Sequence, residues 1–281
     1  MYSSHGLIWS CRKLYQSGDK QKLWTEDEAG EHGTETSTAL IPCIPGLEME
    51  PWHRVVEQYT LGETSLSSDK LVALAAVAQT YSQSAGGEYG TYLAGLWRGM
   101  MPRALMWHVQ KGRSRGRPES EGRGYRAPSW SWASVDGPVS FFGDGPSKPF
   151  RVVRAETTLA VGSIPFGVVV DGSLVLDVNA RRCAVRRIAT DPGYLQVVDG
   201  PILGVLEDAD DFWDWIGPGG KHVLLLELGY SSLAQFGLVL VEAAGCGRYR
   251  RVAVFKWPCS KLMEIDKDFF STFERDLVTI V

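Results

Sequence analysis

The sequence has few cysteines, and none stands at the spacing of a metal site or a disulfide framework. The five cysteines are scattered along 281 residues without a CxxC pair: Cys11, Cys43, Cys183, Cys246 and Cys259. An odd, dispersed set argues against both a disulfide scaffold and a zinc site. The five histidines likewise lack HxxxH or HExxH spacing. We therefore predict reduced thiols, a cytoplasmic location and no bound metal.

Long apolar runs and a charge excess are also lacking. The longest apolar runs, Val223–Leu226 and Phe236–Val241, have the length of strands, whereas a membrane helix needs about 18 residues. A signal peptide begins with basic residues followed by an apolar segment, and Met1–Trp9 does not have this pattern. The net charge of −4 and the pI near 5.8 argue against binding to nucleic acid or an anionic membrane. We predict no membrane span and no nucleic-acid partner.

Tryptophan, by contrast, is abundant, with ten residues in a chain that is 44% hydrophobic. Most of them lie in apolar patterns, which predicts a large aromatic core. Trp213 and Trp215 differ because they stand in an acidic cluster, formed by Asp208, Asp210, Asp211 and Asp214. A calcium loop needs glycine at its sixth position, where Trp213 stands. We interpret the cluster as a solvated loop anchored by tryptophan. The alternative is that Trp213 and Trp215 contact a ligand or partner.

Helical periodicity marks residues 51–112 as a small helical subdomain. One short helix is predicted over Trp52–Tyr59, and a second begins at the capping residue Ser68 and ends at Gly86-Gly87. Its apolar stripe contains Leu71, Leu74, Ala75, Ala78 and Tyr81. A third helical stretch is predicted over Tyr92–Trp107, broken into two pieces at Pro102.

Two segments are predicted to be loops. Residues 16–38 are polar and rich in glycine, which indicates a flexible loop after a short strand at Gly6–Trp9. Residues 113–124 form a basic Gly/Arg loop. A phosphate-binding arm is the alternative for that segment. The lack of any aromatic residue before Tyr125 disfavours it, because stacking on bases requires aromatic rings.

From residue 125 to 281 the pattern becomes β-rich. Trp130 and Trp132 alternate with small residues, which predicts a strand with the two indoles on one side. Asp171-Gly172, between two apolar runs, predicts a two-residue hairpin turn. Candidate strands follow at 139–142, 150–161, 166–170, 173–179, 183–188, 194–198, 202–206, 222–228, 236–243, 248–256 and 277–281. Many short strands with regular turns are typical of a β-sandwich or a partly closed barrel. We predict an α+β fold in which the helical subdomain packs on this β-rich domain.

Several motifs, in order, resemble those of fungal heterokaryon-incompatibility (HET) proteins in the region that follows the HET domain. The central one contains Tyr125, Arg126, Pro128, Ser129, Trp130, Ser131, Trp132 and Ser134. Similar blocks stand at Trp52–Leu71, Tyr92–Trp97, Leu105–Trp107, Phe236–Leu240 and Tyr249–Val252. Leu7–Cys11 resembles the strand that closes the HET domain. The RGW..QE block and the upstream body of that domain have no counterpart in this sequence, so residues 1–50 would be a remnant of its end.

The resemblance implies a regulatory or recognition region that acts in fungal non-self recognition and regulated cell death. The HET domain is similar to a TIR-like α/β fold, and NAD-cleaving chemistry would belong to that domain rather than to this chain. The implied partners are proteins, including HET-domain proteins. Two alternatives stay open: a β domain that binds a small molecule or carbohydrate, and an NAD-cleaving or hydrolytic enzyme.

The residues themselves provide no reaction centre. Ser131, His108 and Asp136 have the side chains of a hydrolase triad, but no GxSxG motif accompanies them. Gly217–Lys221 has the wrong glycine spacing for a phosphate loop. We therefore predict no catalytic residue, no cofactor and no metal ligand. A group of four tryptophans, Trp97, Trp107, Trp130 and Trp132, is instead expected to join the helical subdomain to the β-rich domain.

Overall fold

The computed structural model describes most of the chain after residue 49. Before that point it describes only the backbones of four short strands, at 2–3, 6–10, 14–17 and 22–25. The described residues are then 50–62, 67–84, 88–101, 103–110, 124–142, 150–191, 193–209, 212–230, 234–243, 245, 247–258, 269 and 271–281. Gly86-Gly87, Pro102 and nearly all of the predicted Gly/Arg loop 113–124 lie outside the described residues.

The chain divides into two compact units, Met1–Ser65 and Leu66–Val281. The first unit contains an antiparallel sheet in which each strand pairs with the next. Its strands are β1 (Tyr2–Ser3), β2 (Gly6–Ser10), β3 (Leu14–Ser17) and β4 (Lys22–Thr25). The strand predicted at Gly6–Trp9 is confirmed. The continuous loop predicted over 16–38 is wrong at β4, which forms a hairpin with β3.

Helix α1 (Glu50–Leu61) also belongs to the first unit. It contains the predicted helix Trp52–Tyr59. Trp52, Val56 and Thr60 are buried, and their spacing of four residues places them on one face of the helix. The periodicity therefore predicted this helix correctly.

The second unit opens with a helical segment made of two 3-10 turns and one α-helix. The turns are Ser67–Asp69 and Val72–Leu74, and helix α2 is Ala75–Ser84. Leu71, Leu74, Ala78 and Tyr81 of the predicted apolar stripe are buried. The helix begins later than the predicted cap at Ser68, because the backbone first forms the two tighter turns.

The third predicted helix, Tyr92–Trp107, is wrong. A small hairpin of β5 (Tyr92–Leu93) and β6 (Leu96–Trp97) comes first. Two 3-10 turns, Arg98–Met100 and Arg103–Leu105, and strand β7 (Trp107–Val109) follow. Ala94 and Gly95 have φ angles of 48° and 94°, which a right-handed helix cannot accommodate. Because residues 92–97 are all buried, the helical spacing of their apolar side chains carried no information about a face.

The strand predicted through Trp130 and Trp132 is also wrong. This segment forms a 3-10 turn, Trp132–Ser134, capped by the Ser131 hydroxyl, which accepts a hydrogen bond of 3.0 Å from the Ala133 amide. Both tryptophans are fully buried, and so are Ser131 and Ala133, the small residues that follow them. The alternation of large and small residues thus reflects close packing on all sides. Strand β8 (Val139–Phe141) follows and pairs with β7.

The rest of the second unit is one large sheet of eight strands. They are β9 (Arg151–Leu159), β10 (Val169–Arg187), β11 (Tyr194–Val197), β12 (Ile202–Glu207), β13 (Lys221–Tyr230), β14 (Ala234–Ala243), β15 (Arg248–Pro258) and β16 (Glu274–Ile280). Helix α3 (Phe212–Ile216) lies between β12 and β13 and buries Phe212 and Ile216 in the core of the sheet. The predicted strands from 194 to 256 are confirmed with small shifts at their ends.

Strand β10 is the central strand, with 19 residues. Asn179 pairs with Glu227 of β13 and with Arg275 of β16, so these two strands lie on opposite edges of β10. Val185 likewise pairs with β13 and with β11. The pairings continue from β13 through β14, β15 and β12 to β11. They therefore form a continuous ring that begins and ends at β10.

The hairpin turn predicted at Asp171-Gly172 is wrong, since both residues lie inside β10 and the turn is formed by residues 160–168. The register shifts between Val169 and Asp171, so the segment is a bulge. A Cβ atom on Gly172 would lie 2.9 Å from Cγ of Pro128. This glycine does not form a turn. It leaves room for another segment to approach the strand.

The chain is thus α+β and rich in strand, as predicted from the sequence. None of the helices among the described residues has the length and apolar character that crossing a bilayer requires.

Removing an indole from the four-tryptophan group should destabilise the protein strongly. Trp130→Ala or Trp132→Ala should each lower the free energy of unfolding by about 3–5 kcal/mol, because a fully buried aromatic side chain is lost. Urea unfolding measures the change. Trp215→Ala is the matched control, because Trp215 is 37% exposed. Equal losses in the control and in the core variants would contradict a core role.

Candidate functional site

The four tryptophans predicted to form a joint are all buried, and two of them donate hydrogen bonds to main-chain carbonyls. Trp107 Nε1 donates to the Trp130 carbonyl, and Trp132 Nε1 donates to the Gly95 carbonyl, each at 2.9 Å. A Cβ on Gly95 would lie 2.6 Å from Trp132 Nε1, so only glycine permits this approach. The indoles therefore connect the β5–β6 hairpin, β7 and the 130–134 turn. We call this set of segments the tryptophan junction.

Trp97 packs in an aromatic group at the β5–β6 hairpin. Its ring centroid lies 5.1 Å from that of Tyr92, 5.8 Å from that of Tyr81 on α2 and 6.4 Å from that of Phe166. Edge-on and tilted contacts at these distances add to the stabilisation that burial alone gives. The group attaches α2 to the hairpin and to the connection between β9 and β10.

The serine hydroxyls of the junction are engaged by main-chain atoms. Ser131 Oγ donates to the Ala94 carbonyl in addition to capping the 3-10 turn. Ser129 Oγ accepts a 3.0 Å hydrogen bond from the Arg251 amide and donates to the main-chain oxygen of Val281. These hydroxyls fix the 129–134 segment to three distant parts of the chain and are not available as nucleophiles.

Arg126 is buried and fixes the start of the same segment. Its Nε donates to the Ala133 carbonyl at 2.5 Å, and its Nη1 lies 2.8 Å from Asp136 Oδ1. Tyr125 is exposed, whereas Pro128 is buried where Gly172 makes room for it. Ser134 Oγ donates to the Ser129 carbonyl at 3.4 Å. Every buried member of the signature thus has a structural contact.

A fully buried ion pair, which the sequence did not reveal, lies under the tryptophan junction. Arg251 Nε is 3.1 Å from Asp208 Oδ2, and both side chains are 0% exposed. The guanidinium also donates to the Leu105 carbonyl at 2.7 Å and to the Trp107 carbonyl. It lies 3.5 Å from the centroid of the Trp107 ring, a cation–π contact. Asp208 was predicted to belong to a solvated loop, and that prediction is wrong. The sequence feature that could have indicated a buried charge is an arginine, Arg251, within the apolar pattern of β15.

Two further titratable groups are buried beside the junction. Burial, aided by the nearby Arg251 charge, lowers the pKa of His108 from 6.5 to about 4. Burial also lowers the pKa of Lys70 to about 7, with Arg126 acting in the same direction and Asp136 opposing it. Lys70 Nζ donates to the Val135 carbonyl at 2.5 Å. The histidine is therefore neutral at physiological pH, and the lysine is close to its titration point.

The conceivable triad of Ser131, His108 and Asp136 is not assembled. Ser131 is engaged by Ala94 and Ala133, and Asp136 pairs with Arg126. The ring of His108 stacks on Phe142 with centroids 4.5 Å apart. No hydrogen bond joins any two of these three described residues, so the arrangement does not activate a nucleophile.

The acidic cluster does not form a metal site within the described residues. No group of three or more metal-ligating side chains occurs among them. Asp214 is exposed on α3, and Asp210 and Asp211 lie outside the described residues. Each tryptophan of the cluster is approached by a cation, since Arg187 lies 5.8 Å from the Trp213 ring and Lys221 lies 5.8 Å from the Trp215 ring. Of the two, Trp215 is the one with an exposed ring.

A groove of about 690 Å³ lies beside the aromatic group. It runs between α2, the β5–β6 hairpin, β9 and residues 165–166. Its lining consists of Gln79, Ser82, Gln83, Gly90, Thr91, Tyr92, Leu93, Trp97, Ala155, Glu156, Thr157, Leu159, Pro165 and Phe166. We call it the β9 groove. Sequence reasoning missed it, because its residues come from separate segments that no motif links.

A second depression, of about 390 Å³, is lined by residues of β10, β13, β14 and β15. Arg182 in its wall donates to the Tyr249 hydroxyl. Burial raises the pKa of the Cys183 thiol to about 11, so this cysteine stays protonated and unreactive at neutral pH. The depression therefore has no activated nucleophile among its described residues.

Comparison with protein-family models, with curated proteins and with solved structures finds no match to this chain.

Breaking the buried ion pair should be costly, and removing both partners should cost less than the sum of the single changes. Arg251→Met should lower the free energy of unfolding by about 3–5 kcal/mol, because Asp208 is left buried and uncompensated. Asp208→Leu relieves that charge in the double variant. Urea unfolding of all four proteins gives the coupling energy.

The exposed pair of Arg275 and Asp177, with Nε and Oδ1 2.5 Å apart, is the matched control. Arg275→Met should cost far less than Arg251→Met, because solvent screens the pair. Strictly additive effects at Arg251 and Asp208 would contradict the assigned pairing.

Stability should depend on pH through Lys70. Its folded pKa of about 7 lies below the ordinary value near 10.4. Between these two values the unfolded chain binds one proton more than the folded protein. The wild type should therefore gain stability relative to Lys70→Met by about 1.4 kcal/mol for each pH unit above 7, and the difference should be flat below it. Urea unfolding of both proteins from about pH 6 to about pH 9 tests this. A difference independent of pH would contradict burial of the amine.

Proposed function

We propose that this chain is a non-catalytic recognition or regulatory region of a HET-domain-like protein, acting in the cytoplasm in fungal non-self recognition and regulated cell death. The proposal is based on the hydrogen bonds that the polar side chains of the signature make. Ser129, Ser131 and Arg126 make their hydrogen bonds to main-chain atoms and to Asp136. A motif of this kind stabilises the local fold and does not take part in a reaction. A stable surface is what recognition of another protein requires.

The lack of an activated group among the described residues of the junction supports the same proposal. Its buried charges, Arg251 and Asp208, neutralise each other, and His108 is neutral at physiological pH because of its lowered pKa. Groups tuned for acid–base catalysis would have a titration point near the working pH and access to a substrate. Lys70 has the first property but is buried beneath Val135 and the Trp132 ring.

We further propose that the large sheet curls into the partly closed barrel expected from the sequence, with the tryptophan junction packed on it. The ring of pairings from β10 through β13, β14, β15, β12 and β11 supports this architecture. A curled sheet presents its outer strand and its loops to a partner while its interior stays packed.

A second candidate function is the binding of a small molecule or carbohydrate at α3. Trp215 is 37% exposed there, and the Lys221 amine lies near its ring. An aromatic ring beside a cation is a common contact surface for polar ligands. Titration of the tryptophan fluorescence with a panel of sugars, comparing wild type and Trp215→Ala, distinguishes this candidate, because the recognition proposal expects no saturable change.

The proposed function predicts no turnover of NAD by the purified chain. Incubation with NAD, followed by chromatography of the nucleotide products, should give the same profile as buffer. In a fungal strain that carries an incompatibility system, expression of the chain should change the fraction of cells that take up a vital dye. Leu277→Ser, at an exposed residue of β16, should behave like the wild type, and the destabilised Trp132→Ala should not act. NAD cleavage that scales with protein concentration, or dye uptake equal to that of an empty vector, would contradict the proposal.

A further inference from the structure

Strand β9 has an edge that points into the β9 groove. β10 is its only strand partner in the part of the chain that the structure describes. The Ala160 amide donates to the Val168 carbonyl at 2.8 Å, on the side of β10. Because backbone groups alternate in direction along a strand, the N–H and C=O groups of Leu159, Thr157 and Ala155 point the opposite way. These three residues line the groove.

The hydrogen bonding of Gly172, on the neighbouring strand β10, is consistent with this alternation. Gly172 is paired with Thr157 in the register, yet its amide donates to Asp171 Oδ1 at 2.8 Å instead of to β9. The pair is therefore one in which the backbone groups face outward on both strands. The outward groups of β9 have no hydrogen-bond partner among the described residues, and a strand edge of this kind can pair with a further strand.

The other side of the groove is aromatic and uncharged. Phe166 provides a half-buried ring, the buried rings of Tyr92 and Trp97 lie behind it, and Gln79 and Gln83 of α2 provide side-chain amides. Exposed aliphatic residues are also concentrated on the β9–β10 hairpin, which contains Pro165 and Phe166 of the groove. Val153, Val161, Ile164, Val168 and Val170 are each at least 41% exposed. A concentration of exposed apolar residues beside a groove is typical of an interaction site.

Among the described residues, the only charged one that lines the groove is an acid, Glu156. Its carboxylate lies 3.7 Å from Arg154 Nε, and both side chains are more than half exposed. Such a pair is weak because solvent screens it, so the glutamate can accept a second cation. The charge of the groove therefore favours an occupant that carries a lysine or arginine.

We propose that the β9 groove binds an extended peptide segment of a partner protein, which adds a strand to the edge of β9. The peptide's main chain pairs with Ala155, Thr157 and Leu159, and its alternate side chains, which are apolar, contact Pro165 and Phe166. A basic residue of the peptide pairs with Glu156. Main-chain pairing supplies affinity and the side-chain contacts supply selectivity, as in other cases of strand addition. This assignment rests on the proposed recognition function and names the chemistry of the partner.

A random heptapeptide display library, selected on the full chain, tests the assignment. The enriched peptides should alternate apolar residues with polar ones and contain at least one lysine or arginine. Fluorescence anisotropy should then show that N-methylation of alternate peptide amides weakens binding at least about tenfold, because it removes the strand hydrogen bonds. Glu156→Lys should weaken binding about fivefold and favour acidic peptides on reselection.

Thr157→Pro removes one outward N–H and leaves the β9–β10 hydrogen bonds intact, so it should also weaken binding. Leu277→Ser, on β16, is the control and should bind as the wild type does. If Thr157→Pro lowers the melting temperature, the N-methylated peptides still decide the result with the unaltered protein.

No enrichment, or binding insensitive to both N-methylation and Glu156→Lys, would overturn the assignment. A concentration-dependent dimer in sedimentation, lost in Thr157→Pro, would also overturn it, because a second copy would then occupy the edge. Either result leaves the recognition function standing if NAD is not cleaved. NAD cleavage by the chain would remove the recognition function itself, whatever the peptides do.

Discussion

The second unit depends on one buried charge pair. Arg251 and Asp208 are both 0% exposed, and a buried guanidinium is tolerated only if its charge and its hydrogen-bond donors are satisfied. Asp208 satisfies the charge, and the carbonyls of Leu105 and Trp107 accept further donors. The arginine thereby joins β15 of the large sheet to the segment that leads into β7. The tryptophan junction is assembled on top of this connection, since the Trp107 ring covers the guanidinium.

This arrangement gives the sequence signature a structural meaning. Its tryptophans pack in the core and donate hydrogen bonds to main-chain carbonyls. Its serines form hydrogen bonds with amides and carbonyls of segments far apart in the chain. Ser129 alone reaches both Arg251 of β15 and Val281. Substitution of such residues would loosen several connections at once, because each side chain has contacts with more than one element. Under the proposed recognition function, the surfaces available to a partner are the edge of β9, its groove, which has the β5–β6 hairpin of the junction as one wall, and the exposed ring on α3.

The sequence predicted the large sheet well and the junction poorly, for a physical reason. Between residues 194 and 256, segments that contain glycine or serine separate the apolar runs, so the strand boundaries are visible. Residues 92–97 and 127–134 are buried on every side, and periodicity carries no direction where no face is exposed. Asp208 was misassigned because its neighbours are acidic, whereas its partner Arg251 lies 43 residues away. The β9 groove is formed by segments whose proximity only the tertiary fold creates.

Native-state hydrogen exchange of the backbone amides tests the central claim most directly. If the junction is part of one cooperative core, the amides of Ser129, Ala133 and Arg251 should exchange only through global unfolding, with the same free energy as the amide of Leu225 in β13. If the junction amides exchange faster, with an apparent opening free energy several kcal/mol below that of Leu225, the segment opens by itself. That result would contradict the claim that the buried pair of Arg251 and Asp208 holds the second unit together.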